Sequence, residues 1–241
     1  MNILRSVFDF VFPPRCIFCK KPLPKGTDMF CCDKCKDEYA FKIICCSKCS
    51  GVLSETSGKP VCYTCRAAGR HFDAAISSSR YSEKMRKAIH RYKFSYQTYM
   101  AKTLASFIVS ALETAEVNYE SFDLVINIPP DKVRKLRRGF DHTALFAKYL
   151  SEELNIPFGK GFIKKIKRTR PQHLLNARQR ASNVKGAYKM ADMADVKGKT
   201  VLLIDDVFTT GSTAREVSGV LKRAGAKYVL VATVAKSVSR I

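Results

Sequence analysis

The chain has 241 residues; 46% are apolar, and lysine plus arginine outnumber aspartate plus glutamate by 43 to 21. That length suits one ordinary domain with a small second one, and the apolar share is enough for a core, which excludes a disordered or low-complexity chain. A formal charge of +22 sets the protein apart from one that meets apolar ligands alone, and favours a polyanionic partner such as nucleic acid, or a membrane surface.

Residues 1–12, MNILRSVFDFVF, are apolar but short, carry Asp9 and run into Pro13-Pro14. They read as a short amphipathic helix and not as a signal peptide. No apolar run approaches the length of a membrane span, so the expected location is cytoplasmic. All ten cysteines lie between Cys16 and Cys65. Cys16-x-x-Cys19 and Cys32-x-x-Cys35 recur, with the same spacer, as Cys46-x-x-Cys49 and Cys62-x-x-Cys65. Cys31 and Cys45 have no counterpart, Val61 and Arg15 standing in their places, and are the expected non-ligands. A C-x-x-C turn offers two thiolates from one knuckle, and two knuckles close a tetrahedral four-thiolate site with no open position. Tandem repeats of this kind point to structural zinc, because a redox dithiol needs one such turn at a strand–helix junction. The nearest-neighbour sets are Cys16, Cys19, Cys32, Cys35 and Cys46, Cys49, Cys62, Cys65, with crossed pairing also compatible with the spacing. The composition shift after Cys65 divides the chain into a double zinc-ribbon domain at 1–70 and an α/β domain at 71–241.

From about residue 72, strand-like runs at Ala74–Ser78, Asp123–Ile128, Val201–Ile204 and Tyr228–Val234 alternate with helical periodicity in 82–91, 98–116, 142–154 and 213–224. Such alternation predicts a mostly parallel sheet covered on both faces. Three basic stretches interrupt it: Arg80–Lys93, Lys132–Arg138 and Lys160–Lys189. The segment between Ile156 and Ala191 has no clear period, ten basic residues and no acidic one, the mark of a functional or mobile loop. Near the first basic stretch stand Tyr81, Tyr92, Phe94, Tyr96 and Tyr99, the aromatic interleaving that a single-strand groove uses for base stacking. Taken singly, each ring more often faces a core. The four histidines, His71, His90, His142 and His173, are scattered and read as surface or structural groups, with His173 placed to meet a substrate.

The densest chemistry lies at 201–213, VLLIDDVFTTGST. An apolar strand ends at Asp205 and Asp206, at the carboxyl edge where parallel sheets place ligands. Two adjacent carboxylates call for shared hydroxyls or a cation, and a ribose diol with a magnesium-bound diphosphate supplies both. Thr209, Thr210, Gly211, Ser212 and Thr213 then turn into a helix whose N-terminus suits a phosphate. The G-x-x-x-x-G-K pattern of a Walker loop is absent, and the segment reads as a cradle for a ribose 5-phosphate.

That motif resembles the signature of type I phosphoribosyltransferases, a central mostly parallel sheet with helices on both faces and a hood. With Asn127-Ile128-Pro129-Pro130, Arg138-Gly139-Phe140, the stretch Arg168–Gln172, Arg178, Asn183–Tyr188 and the cysteine array, the chain resembles the competence protein F (ComF/ComFC) family. Asp141-His142 stands where that family has Asn-Gln, and Tyr188 where it has Phe. The resemblance implies a role in DNA uptake during natural transformation, beside a helicase-like competence ATPase. It implies phosphoribosyl pyrophosphate with Mg2+ on Asp205, Asp206, Val207, Phe208 and Thr209–Thr213, with the pyrophosphate at Ile128, Pro129, Pro130, Arg137 or Arg138. Single-stranded DNA is expected on the basic hood, at Lys164, Lys165, Lys167, Arg168, Arg170 and Arg178. The other class of reading is a working phosphoribosyltransferase or amidophosphoribosyltransferase-like enzyme. Against purine salvage, Thr209 stands where such enzymes carry an acid, and no cysteine is left to act as a glutaminase nucleophile.

Overall fold

The computed structural model describes residues 13–39, 71–170 and 175–237, with positions 46, 48, 49, 61 and 65. The helix expected at 1–12 lies outside them, as do Cys45, Cys62 and residues 171–174.

In chain order the elements are helix α1 (Asp33–Tyr39), strand β1 (Ala74–Ser77), α2 (Glu83–Phe94), α3 (Met100–Thr114), β2 (Leu124–Asn127), α4 (Lys132–Arg138), α5 (His142–Leu154), β3 (Ile163–Lys165), α6 (Ala177–Val184), β4 (Tyr188–Met190), β5 (Thr200–Phe208), α7 (Ser212–Arg223) and β6 (Tyr228–Lys236). Four strands form one sheet in the order β1-β6-β5-β2, every neighbouring pair parallel. β5 and β6 lie at its centre as near-continuous apolar runs, as strands covered on both faces must be. Their side chains alternate between two cores. Leu202, Ile204, Leu230, Ala232 and Val234 pack with α2, α3 and α5, while Val201, Leu203, Val229 and Val231 pack with α7.

Capping residues fix the helix ends around the sheet. The Ser82 hydroxyl accepts from the Met85 amide at 3.3 Å, and the Asp141 carboxylate from the Ala144 amide at 3.0 Å, each satisfying an N–H that the helix itself leaves unpaired. Gly139, with φ 73°, ends α4 in the left-handed region.

All four expected strands and all four expected helices are present, with shifted ends. β5 does not stop at Ile204 but continues to Phe208. The aperiodic segment 156–191 is not one loop. It holds the antiparallel pair β3 and β4 and, between them, α6, whose start carries a reciprocal capping box of Asn176 and Gln179. This hood is tied to α7 by the Gly186 amide, which donates to the Glu216 carboxylate at 2.8 Å.

The cysteine-rich segment shares its core with the sheet domain. Cys16, Ile17, Cys35 and Tyr39 belong to the same buried cluster as Met85, Ile89 and Leu104. The Phe30 amide donates to the Thr103 hydroxyl at 2.8 Å, and the Phe18 ring meets Phe107 edge-on at 6.0 Å.

Candidate functional site

Because β5 runs through both carboxylates, Asp205 and Asp206 leave the strand on opposite faces. Asp206 turns toward α2 and α5 and is 6% exposed. Its Oδ2 accepts from His142 Nε2 at 2.8 Å and pairs with the Lys93 ammonium. Arg138 Nη1 approaches His142 Nδ1 at 3.0 Å. A guanidinium can only donate, so Nδ1 is the acceptor and the imidazole proton sits on Nε2, aimed at Asp206. Burial, together with Lys93 and Arg138, holds His142 below its usual range against the opposing pull of Asp206, so the ring is neutral. Burial would push the Asp206 carboxyl up, but Lys93 and the His142 N–H outweigh it and hold it far below the usual carboxylate range. Asp206 is thus a fixed anion.

Asp205 faces the hood side and is half-buried. Burial and the neighbouring Asp206 charge raise its carboxyl to about 7, against the weaker pull of its bond with the Asp206 amide, Lys93 and Lys165. Of the two, Asp205 is the carboxylate still in want of donors or a cation. Beyond it, Gly211 takes the N-cap position of α7 with φ 73° and offers no side-chain cap, while the Ser212 amide reaches the Thr210 hydroxyl at 3.4 Å. The left-handed turn suits glycine. Thr210 and Ser212 hydroxyls meet across it at 2.8 Å, so a small-residue turn, with hydroxyls and a helix start behind it, adjoins Asp205. Val207 and Thr209 are half-buried. The Phe208 ring is buried under the Lys236 ammonium at 4.1 Å and therefore packs instead of facing the turn.

On the other side of the same sheet edge, Ile128 is held by its amide to the Ile204 carbonyl at 2.9 Å and by the Thr143 hydroxyl, which donates to its carbonyl at 2.7 Å. Pro129 and Pro130 follow, half-buried. Arg138 is buried beneath Phe94, its guanidinium 4.7 Å from the ring centroid, whereas Arg137 is exposed.

The cysteines separate into nearest-neighbour groups. The Sγ atoms of Cys16, Cys19, Cys32 and Cys35 all lie within 4.8 Å of one another, as do those of Cys46, Cys49 and Cys65. Cys19 and Cys32 are 3.7 Å apart, the edge of a thiolate tetrahedron whose metal–sulfur bonds are about 2.3 Å. Two cysteine clusters that can hold metal ions, compatible with zinc, are therefore in place, uncrossed among the described residues. Cys31 stands apart. It belongs to neither group of sulfurs, and burial with the surrounding sulfurs pushes its thiol up.

The phosphoribosyl transferase domain family matches residues 142–240, a span that opens at His142 and includes the whole Asp205–Thr213 turn. Over a longer reach the chain is similar to competence protein F of Haemophilus influenzae, 29% identical over 231 residues, covering 95% of this chain and 97% of that protein. The chain is a homologue of competence protein F. The homologue is also similar to the DNA utilization protein YhgH of Escherichia coli K12, 28% identical over 221 residues, covering 91% of this chain and 95% of that one. Among solved structures it is similar to a purine phosphoribosyltransferase from Pyrococcus horikoshii, 22% identical, covering 57% of this chain and 78% of that one, with a TM-score of 0.36.

Among the cations expected to meet DNA in this competence protein F homologue, Lys164, Lys167, Arg168, Arg170 and Arg178 are exposed. Lys165 is not of that group. It is half-buried, lies 5.3 Å above the Tyr188 ring and donates to the Thr169 hydroxyl at 2.9 Å. Burial and Arg134 lower its pKa, while Asp131 and Asp205 pull it the other way, so it belongs to the Asp205 side of the site. Sequence reasoning missed Lys93 and His142 as partners of Asp206. Their signal was available in one form: a strand alternates sides, so Asp206 had to point at whichever helix covers Leu202 and Ile204.

Proposed function

We propose that this protein is a DNA-uptake protein of the ComF type, serving natural transformation. It binds phosphoribosyl pyrophosphate with Mg2+ at the Asp205 turn and handles single-stranded DNA beside a helicase-like ATPase. The observation that carries the reading is the carboxyl edge of β5. There a half-buried carboxylate short of donors adjoins a glycine-turned helix start without a side-chain cap. A ribose diol with its magnesium diphosphate answers the first need and a 5-phosphate the second. Asp205 would hold the diol and the cation, and the amide and hydroxyl groups of 209–213 the phosphate. Asp206, already answered by Lys93 and His142, would act from behind as a fixed negative charge. The relatives' names support the uptake role, and the paired cysteine clusters support two structural zinc ions.

Calorimetry of the full chain with phosphoribosyl pyrophosphate and Mg2+ tests this. Binding that falls at least about tenfold in Asp205→Asn supports it; unchanged affinity removes Asp205 from the site. The same mixture with candidate nitrogen acceptors separates binder from enzyme, since release of pyrophosphate with any acceptor makes the domain a working transferase. Thr209, in place of an acid that could move a proton on a base, favours the binder.

A further inference from the structure

Resting on the reading that this protein handles single-stranded DNA, we infer that the strand lies along the exposed face of α2. It would run from the groove beside the first cysteine site to the rings of Phe94, Tyr96 and Tyr99, and not over the hood.

The groove, about 440 Å3 in volume, opens between the first cysteine knuckle and α2, lined by Phe18, Lys20, Arg86, Lys87 and Arg91 among others. Its carboxylates are few and exposed: Glu38 pairs with Lys84 at 3.7 Å and Glu83 with Lys87 at 2.8 Å. Positive charge remains in excess. Lys20, on the knuckle, and Arg91, on α2, both line the groove. Arg91 is braced in turn by the Ile17 carbonyl. Both walls of the groove are therefore fixed to one another.

The same helix face continues into rings. His90 lies against Phe94 at 4.6 Å, and the Arg138 guanidinium lies 4.7 Å from the Phe94 ring centroid. Phe94, Tyr96 and Tyr99 are 53%, 66% and 48% exposed, three of the four aromatic side chains that stand out among the described residues. Each is propped from the protein side, so burial by a base costs little further ordering. The Tyr96 hydroxyl donates to the Arg137 carbonyl at 3.3 Å, and Tyr99 meets Phe30 of the cysteine segment at 4.7 Å. Tyr96 holds φ 54°, a conformation that disfavours a bulky side chain. Its ring lies where a Cβ on Gly139 would approach to 3.3 Å. A strained, exposed and buttressed ring is what a stacking platform requires.

From Lys84 to Phe94 the helix advances about 15 Å, enough for a few nucleotides of extended strand with phosphates at one end and bases at the other. The hood has exposed cations, but its Tyr188 ring is buried beneath Lys165. It can attract a backbone without stacking a base.

Fluorescence anisotropy of a labelled dT20 strand on the full-length chain, over a series of salt concentrations, decides the matter. Three variants are compared: Lys20→Ser with Arg86→Ser and Lys87→Ser; Phe94→Leu with Tyr96→Ala; and Lys164→Ser with Lys167→Ser, Arg168→Ser and Arg178→Ser. The first should lose at least about tenfold in affinity and flatten the salt slope by about 2, the share of three phosphates. The second should lose about as much with the slope unchanged, and the third should stay within about twofold. Retained calorimetric binding of phosphoribosyl pyrophosphate shows that each variant is folded, and the ring pair and the cation triple stand in for one another if either fails that check. Loss in the hood variant with both track variants intact overturns the inference and puts the strand on the hood. Polyglutamate competing as strongly as unlabelled dT20 overturns it in favour of an acidic peptide. If the unaltered chain binds no dT20, the DNA part of the proposed function fails, a separate result from a misplaced track.

Discussion

Asp205 and Asp206 are chemically identical and adjacent, and their surroundings give them opposite states. Asp206 is anionic because Lys93 and His142 outweigh its burial; removing the carboxylate leaves a half-buried ammonium unanswered. Asp206→Ala should therefore destabilise the fold by about 3 kcal/mol, and adding Lys93→Met should recover part of that loss, measured as a double-mutant cycle in urea. Asp205 behaves the other way. Its folded pKa, about 7, lies above the 3.8 of an unperturbed carboxyl. The stability tied to it is therefore complete below the lower value and is lost as pH rises through the upper one. Asp205→Asn should hold its melting temperature across that interval better than the unaltered chain does. Ligand binding through Asp205 should release a proton near neutrality, so affinity for phosphoribosyl pyrophosphate should rise with pH up to about 7, seen as buffer-dependent heat in calorimetry. The acidic pair was legible as a ligand-edge feature. Its division was not, because Lys93 and His142 are far from Asp206 in sequence and no spacing rule links them.

At the scale of elements, α7 does its work at its first residue. Gly211 in the left-handed region lets the helix begin with no side chain on its N-cap residue. Gly211→Ala should cost about 1–2 kcal/mol in stability and weaken phosphoribosyl pyrophosphate more than Asp205-independent ligands such as dT20, a comparison that anisotropy and calorimetry provide together. The main strands and helices were readable because each carries an uninterrupted period of one kind. The hood was not. β3 and β4 are three residues each, too short for an alternation to register, and α6 is a polar helix fixed by its Asn176–Gln179 capping box and set beside α7. α4, written KVRKLRR, reads as a charge run until Asp131 and Gly139 are recognised as its two ends.

For the molecule as a whole, the first cysteine group is part of one core with α2 and α3, and Cys46, Cys49 and Cys65 belong to the core that α7 covers. The packing of the first group, through Ile17, Phe18 and Tyr39, was hidden because those residues sit between ligands and show no period. If the clusters hold zinc, chelation should lower the melting temperature of the entire chain by several degrees and not merely loosen its first part. Near-ultraviolet circular dichroism and a thermal melt with and without chelator check this, and a melt unchanged by chelation would separate the two parts energetically. The strand order has a further consequence. β1 pairs with β6, and partners such as Ser77 and Thr233 are 156 residues apart. During synthesis β1 must therefore wait for β6 to leave the ribosome, and the helices that follow β1 are made before the central strand they cover. Contacts that close so late slow folding and leave apolar faces open, so nascent chains halted before β6 should be the ones that recruit chaperones.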